Sequence, residues 1–177
     1  HRKHNCDIFL NQNLYATSKV KKLLPKNCKI LLGPKYSLIE PKLVNKKKTS
    51  KIYKKIKNVL IFMGGSDSSN MTEKIVKILS LKEFSSLNLK VIIGINNISY
   101  SKIIKLARLR PKTKIFYNLP QLDSVIKNSD IAISGGGSVT QEFIFFDLPS
   151  IVIIQANNQI YNSEYLHKVG AVKLLGK

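Results

Sequence analysis

From Asn58 onward the chain alternates two patterns of apolar residues. Short runs of strand length stand at 59–63 (VLIFM), 89–94 (LKVIIG), 114–118 (KIFYN), 131–134 (IAIS), 150–154 (SIVII) and 171–175 (AVKLL). Between them, at 71–81, 100–109, 122–128, 138–146 and 159–169, apolar residues return at the spacing of one helix face. Strands that are apolar on both faces and alternate with helices predict a parallel sheet covered on both sides, joined by right-handed crossovers. The expected fold class is therefore α/β, a six-strand Rossmann-like unit. In such a sheet ligands bind beyond the carboxyl ends of the strands, which directs attention to the loops that follow them.

The first 57 residues read differently. Residues 6–11 (CDIFLN) and 29–33 (KILLG) predict two short strands joined by a polar, basic segment, too little to make a core. A Pro-punctuated extended stretch follows (GPKYSLIEP), and then seven lysines among the 13 residues 45–57, with no acid. That run predicts a linker or exposed arm. The expected organisation is 1–33, a basic linker at 34–57, and the Rossmann-like domain at 58–177.

Composition narrows the class. With 44% hydrophobic and 23% charged residues, the 177-residue chain can bury a core, which excludes disorder and repetitive fibres. No apolar run approaches the ~18 residues a membrane-spanning helix requires. The net charge of +20 suggests an anionic partner, but its distribution argues against nucleic acid. Residues 1–57 hold 16 basic residues against Asp7 and Glu40, while the rest of the chain holds 14 against 8. Only Arg2, Arg108 and Arg110 are arginines, whereas base reading favours the guanidinium fork. A nucleic-acid-binding module using the lysine arm stands as the alternative from another class. Cys6 and Cys28 form no C-x-x-C pair, which fits a reducing, cytoplasmic compartment, and neither is expected to be a nucleophile. The chain opens His1-Arg2-Lys3-His4, without Met or a signal-type segment, so further residues are expected upstream.

Three loops carry the candidate chemistry. The first, Gly64-Gly65-Ser66-Asp67 with Ser68 to Asn70, suits either a phosphate cradle or a tight turn in which Asn70 and Glu73 form a capping box. The second, Gly135-Gly136-Gly137-Ser138, leads into a helix. Three glycines cost entropy unless the backbone must go where side chains cannot, and the helix start favours a diphosphate. Glu142, one turn beyond Ser138, would accept the hydroxyls of a ribose or else favour the positive end of the helix. Thr140 stands where a G-x-S-x-G motif needs its second glycine, so Ser138 is not read as a nucleophile. The third loop runs from Gln155 to Asn162 and includes Asn158 and Gln159. Its side-chain amides suit a hydroxyl-rich ligand, or a helix start capped by Asn157 or Asn158. The loops contain no cluster of metal ligands, and no metal or other cofactor is expected. His167 falls about two turns into the last helix and offers no convincing general base.

CDIFLNQNLYA (6–16), LLGPKYSLIEP (31–41), MGGSD (63–67) and GGGSVTQEF (135–143), followed by LPSIVI and NQ, together resemble the UDP-diacetamido-trideoxy-altropyranose hydrolases of pseudaminic acid biosynthesis, over nearly the whole chain. More distantly, GGGSVTQE and NQIYNSEYLHKVGA (158–171) are similar to the nucleotide-sugar half of GT-B glycosyltransferases, including the N-acetylglucosaminyl transferase of peptidoglycan synthesis. The resemblance implies a two-domain enzyme with a UDP-sugar in its cleft, water attacking the anomeric carbon, UDP leaving with inversion, and no metal. It would place the diphosphate on Gly135 to Ser138, the ribose on Glu142, and the uracil on backbone around Leu119, from Asn118 to Pro120. Gly64, Gly65, Ser66, Asp67, Asn158 and Gln159 would face phosphate or the amino sugar. The resemblance supplies the general base from a His in a Gly-rich loop of an N-terminal domain, and no segment here matches it. On this view 1–33 is a remnant of that domain, the base lies in the missing part, and the isolated fragment is inactive. A GT-B glycosyltransferase half is the alternative within enzymes.

Overall fold

The computed structural model describes residues 2–13, 18–39 and 55–176. Among these residues eight strands form two sheets, and every pairing is parallel. β1 (Ile8–Asn11) and β2 (Lys29–Leu32) make a two-stranded sheet. The other six are β3 (Asn58–Phe62), β4 (Asn88–Ile93), β5 (Thr113–Tyr117), β6 (Ile131–Gly135), β7 (Ser150–Ile153) and β8 (Lys173–Gly176). They lie in the order β5-β4-β3-β6-β7-β8, the doubly wound arrangement in which the winding reverses between the first and fourth strands of the unit. The helices that cross between them are α1 (Met71–Ile78), α2 (Tyr100–Leu109), α3 (Asp123–Lys127), α4 (Val139–Phe145) and α5 (Ile160–Lys168).

Side chains alternate across a strand, and the core divides accordingly. Val59 and Ile61 point to a cluster with Val91, Ile93 and the buried residues Ile75, Val76 and Ile103 of α1 and α2. Leu60 points the other way, to Ile92, Ala132, Val125, Ile126, Val139 and Phe143, under α3 and α4. Val152 and Val172 pack with Leu166 of α5. The segment after β2 reaches this domain too: Pro34–Tyr36 is a 3-10 turn, Ser37 Oγ donates to Gln141 Oε1 at 3.5 Å, and Ile39 packs on the second cluster. The lysine run expected at 45–57 lies mostly outside the described residues.

Two charged side chains fasten the amino ends of the strands, away from the carboxyl ends where a ligand would bind. Arg110, at 6% exposure, has no carboxylate partner among its hydrogen bonds. Its guanidinium donates to the carbonyls of Leu79, Phe84, Leu87 and Pro111 and to Thr113 Oγ1, tying the ends of α1 and α2 to the start of β5. Burial lowers its pKa from the usual value. Asp130 Oδ2 accepts from Lys57 N at 3.0 Å, Asn58 N at 2.7 Å and Asn58 Nδ2 at 3.1 Å, locking the start of β3 to that of β6. Burial opposes its ionisation, but these donors and the nearby Lys90 outweigh it and hold the carboxyl below its ordinary range.

A carboxyl with a lowered folded-state pKa contributes stability that is complete above its unfolded pKa and is lost as pH falls through the folded value. Asp130→Asn is therefore expected to cost about 1.5 kcal/mol at neutral pH, the scale of a charge-assisted hydrogen bond. The gap from wild type should close as pH drops below about 4. Denaturant midpoints across that range check this; a gap independent of pH would show that the charge is irrelevant.

Candidate functional site at the strand switch point

Because winding reverses between β3 and β6, the loops at their carboxyl ends diverge and leave a crevice. Its floor is glycine. A Cβ on Gly136 would run into Ser163 Oγ in the first turns of α5 and lie 3.2 Å from Gln159 Cβ. One on Gly135 would stand 3.2 Å from Gln155 Cγ and 3.4 Å from Met63 O. These two glycines let the ends of β3, β6 and β7 close on one another. Gly137 has open space, with Gln159 Nε2 4.0 Å away as its nearest contact. None of the three has positive φ, so close approach, not a left-handed turn, is what requires glycine at 135 and 136.

Open space beside Gly137 belongs to a cavity of about 200 Å3, lined by Gln12, Asn13, Gly136, Gly137, Ser138, Gln141, Asn158, Gln159 and Asn162. Among the described residues this wall contains amides, hydroxyl and backbone, with no ionisable side chain. Gln159 is braced by accepting from Gln155 N at 2.8 Å. Asn162 is 6% exposed, and its side-chain oxygen is buried without a hydrogen-bond partner. A buried carboxamide oxygen facing a cavity is a free acceptor for a donor that enters it.

The candidate residues thus fall into groups. Gly136, Gly137, Ser138, Asn158 and Gln159 meet in the cavity wall, with Gly135 directly behind. Glu142 lies one turn along α4, half-buried and outside that wall, and Leu119 packs partly into the core under α3 and α4. Gly64, Gly65 and Ser66 sit at the neighbouring end of β3; Gly64 has φ +90° and Ser66 is exposed.

Asp67, which the resemblance sets facing phosphate or the amino sugar, is 3% exposed and bonded to the protein itself. Its Oδ1 accepts from Met71 N and its Oδ2 from Thr72 N, both at 2.9 Å, with Asn97 Nδ2 at 3.4 Å. It therefore caps α1. The expected capping box of Asn70 and Glu73 does not form: Asn70 is left-handed at φ 53° without a side-chain cap bond, and Glu73 pairs with Lys77 at 3.8 Å. The turn 64–70 folds back one step earlier than an Asn70 cap allows, and the buried acid takes the orphan amides. Nor does Asn157 or Asn158 stand at the cap of α5: these form a 3-10 turn with Gln159, which occupies the cap position without a side-chain cap bond.

Gln12, Asn13, Gln141 and Asn162 are wall residues that sequence reasoning did not assign to the site. The first two follow β1 and are brought in from over a hundred residues away, which periodicity cannot reveal. Asn162 was legible as a member of the polar run 155–162, three residues and so one turn beyond Gln159. Gly94 was also missed: a Cβ there would strike the backbone of Gly65, so the β4 loop presses on the β3 loop.

The remaining chemically interesting groups lie elsewhere. His167 Nδ1 is 3.3 Å from Val172 O and lines a larger, apolar cavity of about 680 Å3 around the amino ends of β6, β7 and β8. That volume is at the wrong end of the sheet for the switch-point rule, so the smaller polar cavity is the better candidate. Cys28 has its thiol pushed up by burial and by the adjacent Cys6, the reverse of what a nucleophile needs. Among the described residues no three His, Cys, Asp or Glu side chains cluster as metal ligands, and no helix is long and apolar enough to cross a membrane.

This doubly wound sheet, with a small polar cavity at the β3/β6 switch, is a Rossmann-like α/β domain, and residues 59–176 match the glycosyltransferase family 28 C-terminal domain. The chain belongs to that family. It is 29% identical over 95% of its length to an uncharacterised protein of Methanocaldococcus jannaschii, covering 36% of that protein. It is 27% identical over 94% of its length to the UDP-2,4-diacetamido-2,4,6-trideoxy-beta-L-altropyranose hydrolase of Campylobacter jejuni, covering 59% of it. The chain thus spans between about a third and three fifths of these relatives. Among solved structures, MurG of Acinetobacter baumannii superposes with a TM-score of 0.60 at 12% identity, over 92% of this chain and 49% of that one. This likeness supports the GT-B-type fold.

Removing the Asp67 carboxylate should unmake the start of α1. Asp67→Ala is expected to lower stability by about 1–2 kcal/mol, the usual loss for a helix cap, with Asp67→Asn intermediate. Thermal midpoints of the two variants test this; unchanged stability in both would show that the bonds to Met71 and Thr72 do not hold the helix start.

Proposed function

We propose that the chain is the UDP-sugar-binding half of a hydrolase that cleaves the anomeric C–O bond of a UDP-diacetamido-trideoxy sugar and releases UDP. The observation that carries the reading is the buried, unpartnered Asn162 oxygen in a wall of neutral amides beside a glycine backbone. A phosphate oxygen cannot donate to it; a sugar hydroxyl or an acetamido N–H can. Backbone at Gly136 and Gly137 can approach a diphosphate without side-chain obstruction. At about 200 Å3 the cavity is smaller than the ~300–1,000 Å3 typical of whole-ligand sites, so it suits one portion of a nucleotide sugar. The rest would extend toward Glu142 as ribose ligand and the backbone around Leu119 as uracil ligand. The Campylobacter relative supports the diacetamido sugar and the hydrolytic outcome.

Three measurements bear on this. UDP at ~100 times its dissociation constant should stabilise the chain by about 2.7 kcal/mol, in excess chelator as well as without it, since the wall offers no carboxylate or imidazole to a cation. A folded chain that shows no shift would overturn the reading. Asn162→Ala should weaken the UDP-sugar by about 1–2 kcal/mol and free UDP much less, because its partner is the sugar. Glu142→Gln should weaken UDP by ~1.5–3 kcal/mol and deoxy-UDP little.

Catalysis needs a positioned base, and the wall supplies only Gln, Asn, Ser and Gly side chains. Asp67 is committed to α1, and His167 to the other end of the sheet. The 177-residue chain is therefore expected to bind the UDP-sugar without releasing UDP, while the protein including an upstream domain releases it into water. Release that depends on an added sugar or lipid acceptor would instead assign a transferase.

A further inference from the structure

Cys6 and Cys28 have no part in the proposed function, yet the fold brings them together. They are separated by 22 positions, and their sulfurs lie 3.7 Å apart at the mouth of the two-stranded sheet. Register explains the meeting. Ile8 pairs with Lys29, and Lys29 N donates to Asp7 O at 2.7 Å, so parallel strands begin immediately after each thiol. Both thiols are free and half-buried, within reach of a small solute. A disulfide needs the sulfurs to close by about 1.7 Å more, a movement that side-chain rotation at two strand ends can supply.

From this geometry we infer that Cys6 and Cys28 are a peroxide-sensitive dithiol that closes into an intramolecular disulfide. The Cys6 thiolate attacks the O–O bond of hydrogen peroxide, becoming a sulfenic acid and releasing hydroxide; the Cys28 thiol, 3.7 Å away, then attacks that sulfur and gives up its proton, the S–S bond forms, and water leaves. The pair loses two electrons and two protons to the peroxide, which is reduced to water. The consequence is mechanical. A two-stranded sheet is marginal alone, and here β1 leaves Ile8 59% and Leu10 37% exposed. A covalent tie at its start fixes the strand whose far end presents Gln12 and Asn13 to the cavity wall.

The test is hydrogen peroxide treatment of the native full-length protein, alkylation of remaining thiols, and tryptic mapping. The expected result is a peptide spanning residues 4–19 linked to one spanning 27–29, with a loss of about 2 Da that dithiothreitol reverses. Linkage should form roughly tenfold faster in native protein than in urea, since the fold supplies the proximity. Cys6→Ser and Cys28→Ser should yield no linked peptide and instead gain oxygen on the surviving sulfur. Oxygen addition to wild type without the linked peptide, linkage only between chains, no reaction, or equal rates in urea would each overturn the inference. The wild-type map decides the matter even where a serine variant fails to fold.

Discussion

Strand β3 is hydrogen-bonded on both sides, to β4 and to β6, and this constraint organises everything else in the domain. The chain must build outward from β3 through β4 to β5, then cross back and start again at β6. Right-handed crossovers place α1 and α2 over one face and α3 and α4 over the other, as the two principal core clusters record. The loops leaving β3 and β6 consequently part, and the polar cavity opens at their carboxyl ends. The site follows from the order of strands before any particular side chain is considered.

The two ends of the sheet treat polar groups in opposite ways. At the amino ends, Asp130 and Arg110 are saturated with backbone partners, which spends their charge on fastening strands. At the carboxyl ends of β6 and β7, Ser134, Gln155 and Asn162 each have a buried side-chain oxygen without a partner. Buried polar atoms are normally satisfied, and these three lie together on the side of the domain that carries the candidate site. Among the described residues the cavity wall is neutral, although the chain carries a net charge of +20.

Much of this was legible from residue order. All six strands and five helices of the domain fall where apolar spacing puts them, because strands buried on both faces and helices with one apolar stripe leave unmistakable periods. The glycine run before Ser138 likewise announced close approach. What periodicity could not show was which polar residue takes which role. Asp67 and Asn70 are both good helix caps by type, and only the path of the turn decides between them. Gln12 and Asn13 are wall residues because β1 docks beside the glycine loop, a tertiary fact without local signature. Gly94 reads as the unremarkable end of a strand until its neighbour across the sheet is known to be Gly65.

The two tight glycine contacts place different limits on how the sequence can drift. At Gly136 the obstacles to a side chain are themselves side-chain atoms, the hydroxyl of Ser163 and the Cβ of Gln159 at 3.2 Å, so room there is regained only by shrinking both neighbours. At Gly94 the obstacle is the main chain of Gly65, which no exchange of residue at position 65 can remove. Descendants of this sequence are therefore expected to alter position 136 only together with 159 and 163, while position 94 stays glycine through any remodelling of the neighbouring loops.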